Sequence, residues 1–356
     1  MKRIFQSEKK KFEKAIHGCD EGYIICESCR TKIIFADCTP LSMEKCPKCQ
    51  DLIFIPIEIE GWWVMEPLGA GGFGSVYLAR AKENPKNRAA VKILQRSEQV
   101  DQYVFDEFRR ESEISYSFER HPHLPETYAY GSLGEDNAFI IMEFLDGTRL
   151  SDYIASRESS IPPEECLYYT LDLINALEYI YNKGYVYRDM KPENVIIKND
   201  GLAAVIDYGL CLSHEDAANV GDGPVIGSAL FMPPERYLRS GEDHRGDIYS
   251  LGMLLYFALM GDTFFSRTEV RTVARGHMRR LRIETRSRMR DNDADMVDLV
   301  DHMIRRDREE RIQTYDEVRY AIFSVLGHLH EIKTTDPWIL RRRQHFIKTY
   351  GKIEYE

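Results

Sequence analysis

The apolar positions of this chain fall into short runs that predict both strands and helices. Leu52-Ile53-Phe54-Ile55-Pro56-Ile57-Glu58-Ile59 is strand-like and runs almost directly into Trp62-Trp63-Val64. No flexible linker separates the two, so the segment before residue 60 is expected to pack on the chain beyond it rather than swing free. Ala89-Ala90-Val91-Lys92-Ile93-Leu94 has a buried-strand pattern with one lysine inside it. Burying a lysine alone is costly, so this one needs a partner. The longest greasy stretch, Ile248 to Met260, is too short to span a bilayer and includes Tyr249 and Ser250, so it reads as a buried helix. Thr335-Asp336-Pro337-Trp338 reads as a helix start, with a capping carboxylate and a proline in the first turn. That helix carries Ile339, Phe346 and Tyr350 on one side and Arg341-Arg342-Arg343 elsewhere, and is expected to lie on the rest of the protein.

Composition changes this picture little. The 356 residues are enough for one large two-lobed domain and something small, and 43% hydrophobic with 30% charged is ordinary for a soluble globular protein. The net charge of -10 argues against a generally basic, nucleic-acid-coating protein. Residues 1–18 form a basic segment with Lys2, Arg3, Lys9, Lys10, Lys11 and Lys14, but no apolar run comes after it. A signal peptide and a membrane span are therefore not expected, and a cytoplasmic location is.

The cysteines change it more. Six of the eight lie between Cys19 and Cys49, and Cys26-x-x-Cys29 and Cys46-x-x-Cys49 form two knuckles with sixteen residues between them. That spacing fits a four-thiolate zinc site. Each pair can place two sulfurs on one side of a tight turn, and two such turns close a tetrahedron. Too few apolar residues lie between 19 and 59 for an independent core, so a metal would supply much of the folding energy. The segment 19–59 resembles a zinc ribbon holding structural Zn2+ on Cys26, Cys29, Cys46 and Cys49. A redox C-x-x-C or buried free thiols are the competing readings. Cys19 and Cys38 are left over, as packing residues or as a replacement for one ligand. Arg30, Lys32, Lys45 and Lys48 would offset the negative charge of a zinc tetrathiolate. No aromatic-studded basic strip accompanies them, which argues against a nucleic-acid partner.

Five motifs then come in one order: Gly69-Ala70-Gly71-Gly72-Phe73-Gly74-Ser75-Val76, Ala90-Val91-Lys92, Tyr187-Arg188-Asp189-Met190-Lys191-Pro192-Glu193-Asn194, Asp207-Tyr208-Gly209 and Pro233-Pro234-Glu235. A glycine cluster alone would be an ordinary hairpin, and one Asp-x-Lys a surface loop. Order and spacing together match the protein-kinase signature set. Residues 62–327 resemble the eukaryotic-like (Hanks-type) serine/threonine protein kinases, with 328–356 as a C-terminal helical extension. The resemblance implies an α+β, bilobal protein kinase fold, with a β-rich small lobe and a helical large lobe, preceded by the small zinc ribbon. It implies transfer of the γ-phosphate of ATP to a protein hydroxyl with Mg2+, a reaction that needs positioning and charge neutralisation more than covalent help.

The resemblance also implies residue roles. Gly69, Gly71, Gly72 and Gly74 let a hairpin fold closely over the phosphates, with Phe73 capping its tip. Lys92 contacts the α- and β-phosphates and pairs with a glutamate on the next helix; Glu111 is the choice and Glu113 the competitor. Asp189 accepts or orients the hydroxyl proton, Lys191 neutralises the moving phosphoryl group, and Asn194 and Asp207 hold magnesium. Val76 and Ala90 cover one face of the adenine and Ile196 the other. Met142 resembles the gatekeeper, followed by the hinge Glu143-Phe144-Leu145, with Asp146 at the ribose. Tyr187 and Tyr208 replace the usual histidine and phenylalanine; both keep an aromatic body, and their hydroxyls need partners.

The Asp-x-Lys-Pro-Glu-Asn form belongs to the serine/threonine branch, so the expected partner is a protein substrate with serine or threonine. Ser228 is expected to hydrogen-bond Asp189 and Lys191, Glu235 to pair with Arg311, and Asp247, opening a helix, to anchor the catalytic loop backbone. In the family an arginine placed like Arg188 often reads a phosphate on the activation segment. Here residues between Gly209 and Gly227 include no threonine, only Ser213, and the acids Glu215, Asp216 and Asp222. A carboxylate, or nothing, is expected to meet Arg188, and the enzyme to work without phosphorylation there. Residues 267–290 hold nine arginines, including Arg271, Arg275, Arg279, Arg280 and Arg282. They form either a dock for an acidic or phosphorylated partner or a solvated helix balanced by Asp291, Asp293, Asp295, Asp298 and Asp301. A catalytically weak nucleotide-binding scaffold, whose ribbon binds a protein or nucleic acid, is the alternative function. A small-metabolite kinase is disfavoured by the intact Pro233-Pro234-Glu235 segment and the helix from Asp247.

Overall fold

Two knuckles, each built the same way, come early in the chain. The computed structural model describes residues 13–351 except 37, 72–73, 96–101, 135–136, 158–159, 220, 222–224, 266–268, 280–281 and 291, and not the side chains of 70, 71, 282 and 283. A helix, α1 (residues 13–20), leads into the hairpin β1 (Tyr23–Ile25) and β2 (Lys32–Ile34), then the hairpin β3 (Met43–Lys45) and β4 (Leu52–Phe54). Cys26 N donates to Thr31 O and Arg30 N to Cys26 O; Cys46 N donates to Asp51 O and Gln50 N to Cys46 O. Arg30 (φ 61°) and Gln50 (φ 66°) make the same left-handed exit from each turn.

The apolar run 52–59 is divided: its first half is β4, and its second half joins a larger sheet. β5 (Ile57–Ile59), β6 (Trp62–Gly71), β7 (Gly74–Ala81), β8 (Arg88–Gln95), β9 (Thr127–Leu133) and β10 (Asn137–Glu143) form one antiparallel sheet in the order β5-β6-β7-β8-β10-β9. Alternation along β8 sends Val91 and Ile93 to one face, with Val64, Tyr77 and Ile141, and Leu94 to the other, with Phe108 of α2 (Gln102–Ser117) and Ile140. Leu41, Phe54 and Ile57 pack against the first of these clusters. Trp63 packs with Ile16 and Cys19, and its indole N–H donates to Asp20 Oδ1 at 2.9 Å. The knuckles are thus fastened to the sheet by apolar contact. All these elements belong to one unit, Met1–Glu119 with Pro125–Leu145.

The second unit, Arg120–Leu124 with Asp146–Glu356, is mostly helical. In chain order it holds β11 (Gly147–Arg149), α3 (Leu150–Ala155), α4 (Pro163–Asn182), β12 (Tyr185–Val186), β13 (Val195–Lys198), β14 (Ala203–Val205), β15 (Leu212–Ser213), α5 (His214–Ala218), α6 (Pro234–Leu238), α7 (His244–Met260), α8 (Val270–Arg279), α9 (Arg282–Arg288), α10 (Ala294–Met303), α11 (Tyr315–Glu331) and α12 (Pro337–Tyr350). The greasy stretch becomes α7, buried continuously from Gly246 to Leu259. A Cβ on Gly252 would stand 2.6 Å from Ile304 Cγ2 and 2.7 Å from Met303 Cβ, so glycine is what lets α7 approach the end of α10. The helix starts earlier than expected: Asp243 caps it by accepting from Arg245 N, which places Asp247 inside the first turn.

The boundary expected at 327/328 falls inside α11, whose buried positions run from Tyr315 to Gly327. Asp336 caps α12 through Trp338 N (2.7 Å) and Ile339 N (3.2 Å). Of Arg341-Arg342-Arg343, the first is exposed, the third half-buried and the second buried. Arg342 is 5% exposed and donates to Asp172 of α4 at 2.9 and 3.0 Å, with its guanidinium over the rings of Tyr168 and Trp338. A long aliphatic stem and a planar head let it share the apolar side of the helix.

Candidate active site

In the first unit, the glycine-rich segment forms the end of the β6–β7 hairpin. Gly71 pairs with Gly74, and Gly69 with Val76; Gly72 and Phe73 lie outside the described residues. Gly74 has φ 123°, and a Cβ there would stand 2.6 Å from Ile93 O. Only glycine lets the hairpin lie so close to β8. Along β8, Lys92 is opposite Val76 and Ile140, while Ala90 is opposite Leu78 and Met142. Lys92 Nζ donates to both Glu111 oxygens, at 2.6 and 2.7 Å, with lysine and glutamate 7% and 3% exposed. Glu113 is two residues further round α2, on its exposed side beside Arg109. Glu143 ends β10; its N–H donates to Glu126 O at 2.7 Å. Phe144 stacks under Arg88, 4.7 Å from ring centre to guanidinium carbon.

In the second unit, the loop from Tyr187 to Asn194 gathers its polar groups around Asp189. Lys191 Nζ donates to Asp189 Oδ2 at 2.6 Å, and Asn194 Nδ2 donates to the same oxygen at 2.8 Å and to Asp189 O at 3.0 Å. Burial pushes the Asp189 carboxyl upward, against the pull of Lys191, and the net shift is up. That direction suits a group that takes a proton from a hydroxyl. Ile206 N donates to Asn194 O at 2.8 Å, which sets Asp207 beside Asn194. Asp207 is left-handed (φ 70°), and its Oδ1 accepts from Gly209 N at 3.2 Å. Ile196 lies on β13 opposite Ala204 and Arg149. Asp146 O accepts from Asn199 N at 2.9 Å.

Tyr187 shows why tyrosine can stand in its place: its hydroxyl donates to Ile206 O at 2.9 Å and ties the loop to the Asp207 turn. Asp247, fully buried, accepts from Tyr187 N (2.9 Å) and Arg188 N (2.7 Å), and burial pushes its carboxyl up to about 6. Arg311 pairs with Glu235 at 2.8 and 3.0 Å. One expectation fails. Among the described residues, Ser228 makes no side-chain hydrogen bond to Asp189 or Lys191; Lys191 reaches Asp189 directly. Arg188 does meet a carboxylate, as expected, but among the described residues neither Asp216 nor Glu215 supplies it. Asp216 is taken by Ser213, Glu215 lies exposed in the first turn of α5, and Asp222 lies outside the described residues. Arg188 meets Glu242, 54 residues on, at 2.6 Å. Arg236 meets the same carboxylate. Neither Glu242 nor Arg236 carries a sequence signal beyond its residue type.

The knuckle thiols converge. The sulfurs of Cys26, Cys29, Cys46 and Cys49 all lie within 4.8 Å of one another, with Cys26–Cys49 at 3.5 Å and Cys29–Cys46 at 3.6 Å. Four thiols so placed suit a tetrahedral zinc site. Cys19 stays apart as a packing residue, its thiol pushed up to about 12 by burial. Cys38 Sγ points at Ile34 O, 3.9 Å away.

Asp298 meets Arg286 at 3.1 Å, but Asp293 caps α10, Asp295 meets His328, and Asp301 is taken by Thr285 and Arg305. Arg271, Arg275 and Arg279 lie exposed along α8. Arg280, the side chain of Arg282, and Asp291 lie outside the described residues.

A family model described as the protein kinase domain matches residues 62–323. The chain is 31% identical over 263 residues to the serine/threonine-protein kinase PknB of Mycobacterium leprae, covering 72% of this chain and 42% of that protein. It is 31% identical over 265 residues to PknB of Mycobacterium tuberculosis, covering 73% and 42%. Against the serine/threonine-protein kinase pkn2 of Myxococcus xanthus it is 33% identical over 204 residues, covering 56% and 24%. The chain thus spans 42% of the length of these PknB relatives. None of the three matches exceeds three-quarters of this chain.

Proposed function

The chain belongs to the protein kinase family, and on that premise we propose that it transfers the γ-phosphate of ATP to serine or threonine hydroxyls of a protein substrate. The observation that carries the reading is the gathering of Lys191 and Asn194 on one oxygen of Asp189, at 2.6 and 2.8 Å. Asp189 orients the acceptor hydroxyl and takes its proton. Lys191 faces the transferring phosphoryl group. Lys92, held by Glu111, contacts the phosphates from its strand. Gly69, Gly71, Gly72, Phe73 and Gly74 close over them. Val76, Ala90, Met142, Glu143, Leu145 and Ile196 take the adenine.

The Asn194 amide nitrogen is spent on Asp189, which leaves its carbonyl oxygen, with the Asp207 carboxylate, as hard oxygen donors suited to magnesium. Magnesium there would neutralise phosphate charge. Cys26, Cys29, Cys46 and Cys49 hold structural zinc in the segment 19–59. The exposed stripe Arg271, Arg275 and Arg279 docks an acidic or phosphorylated partner. Thiols kept for metal, four of them converging at Cys26, Cys29, Cys46 and Cys49, suit a reducing compartment, the cytoplasm. Among the described residues no helix is long and apolar enough to cross a membrane.

The test is transfer of labelled phosphate from ATP with magnesium to a generic basic protein, followed by phosphoamino-acid analysis. Wild type should label serine or threonine, and Asp189→Asn should lose about 10²-fold or more. An unlabelled substrate, with a melting temperature that ATP and magnesium leave unmoved, would sink the reading.

A further inference from the structure

Arg188, the residue before Asp189, is held at each of its polar groups. Its backbone is left-handed, at φ 70°, which a non-glycine residue keeps only when its surroundings over-determine it. Its N–H donates to Asp247 Oδ1 at 2.7 Å. Its carbonyl accepts from Arg236 Nη1 at 2.7 Å. Its guanidinium donates to Glu242 Oε1 through Nε (3.1 Å) and Nη2 (2.6 Å), with Nη1 3.4 Å from Leu210 O. Glu242 also receives Arg236 Nε at 2.9 Å and Nη2 at 2.6 Å. Arg236 Nη1 lies 3.4 Å from Ile226 O as well. Glu242 is 3% and Arg236 5% exposed.

The charges balance, with Arg188 and Arg236 set against Glu242 and Asp247. A carboxylate taking two guanidinium forks away from water is both strong and geometrically specific. Burial pushes the Glu242 carboxyl up, but Arg236 and then Arg188 outweigh it and hold it below the usual carboxylate range, so it stays ionised.

We infer that Glu242 and Arg236 are positioning residues for phosphoryl transfer, which lock the turn presenting Asp189 from inside the chain, so that no phosphate on the activation segment is needed. The inference rests on the kinase reading and adds its regulation. The edge of Arg188 that would grip a phosphate is filled. A phosphate on Ser213 would have to expel Glu242 and leave that carboxylate buried without its partners. Ser213 is engaged elsewhere: its hydroxyl donates to Asp216 Oδ2 at 2.7 Å and accepts from Asp216 N at 3.1 Å.

Full-length wild type, Ser213→Ala, Glu242→Gln and Glu242→Asp chains are treated with phosphatase and assayed with ATP, magnesium and a protein substrate. Amide exchange across residues 186–190 is followed on the same samples. Phosphatase-treated wild type and Ser213→Ala should keep kcat within about twofold of untreated wild type. Glu242→Gln should lower kcat about tenfold or more while KM for ATP stays within about twofold. Its Tyr187 and Arg188 amides should exchange about tenfold faster. Glu242→Asp, which keeps the charge, should recover part of kcat, and it carries the test if the glutamine variant does not fold. A merely structural role would lower the melting temperature without separating kcat from KM. Wild type that loses activity to phosphatase and regains it on rephosphorylation overturns the inference. So does a folded Glu242→Gln chain with wild-type kcat and unchanged exchange. Should no chain transfer phosphate, the kinase reading fails by itself and the exchange rates decide the inference.

Discussion

Two sets of arginines in the second unit live under opposite conditions. On α8, Arg271, Arg275 and Arg279 are crowded in sequence and exposed. Arg188, Arg236, Arg311 and Arg342 are scattered, and each is fixed on a carboxylate by bonds of 2.6 to 2.9 Å. Water and salt screen the first set, so each of its charges contributes little to stability. The second set is desolvated. Its pairs are strong, and breaking one strands a charge in a poor medium. Arginine density along a chain therefore points to a surface, whereas single arginines with distant carboxylates hold the catalytic loop and the C-terminal helix.

The comparison breaks first at Arg311. Arg311→Ala leaves Glu235, 3% exposed, without its counter-charge. The expected loss is about 3–5 kcal/mol, read as a fall in melting temperature on the order of 10 °C. A fall within the noise of the measurement would remove the distinction between the two sets.

Arg342→Ala should cost somewhat less, about 2–3 kcal/mol by denaturant titration. The reason is specific: Asp172 Oδ2 still accepts from Ala203 N at 2.9 Å, so its charge is not wholly stranded. If Arg342→Ala proved the more damaging of the two, Ala203 N would not be a sufficient partner.

A proton can sharpen the same contrast by forcing charge inward. Burial, and then the neighbouring His123, lower the pKa of His121 from 6.5 to about 4. Above 6.5 the ring is neutral in folded and unfolded chains and contributes nothing. Between 6.5 and 4 the unfolded chain takes a proton that the folded chain refuses, so stability falls as pH drops through that window. Denaturant titrations at both ends of the window should show His121→Gln losing less than wild type.

The smallest effect belongs to α8. Arg271→Ala, Arg275→Ala and Arg279→Ala together should leave stability within about 0.5 kcal/mol per site. Activity on an uncharged peptide should be unchanged, while KM for an acidic protein substrate rises and its salt dependence flattens. A triple variant indistinguishable from wild type on the acidic substrate would return the stripe to plain solvated surface.

The parts legible in advance share one property: few residues, close together, decide them. The glycines of the hairpin, Lys92 in its strand, the loop from Tyr187 to Asn194 and the paired C-x-x-C knuckles each state a local geometry. The start of α12 was equally plain, because a carboxylate and a proline set it within three residues. The choice of Glu111 over Glu113 was nearly legible, since helical periodicity separates their faces once the helix is given. Ser228 was not, because the expected contact depended on how the activation segment returns toward the loop.

From sequence alone came the family resemblance, the two-lobed fold it implies, a few strands and helices, the candidate reacting groups and the thiols suited to metal. Those rest on side-chain chemistry and on backbone preferences that act over a few residues. Folding chose among groups that sequence leaves equivalent. Of 58 acidic residues, nothing local marks Glu242 as the one to be buried between Arg188 and Arg236. Helical spacing sets Arg342 on the side of Ile339 and Phe346, but nothing local marks Asp172 as its partner, or Cys19 as the thiol that packs on Trp63. Burial is a property of the surfaces that meet, and a charge acquires its strength only when distant chain removes the water around it.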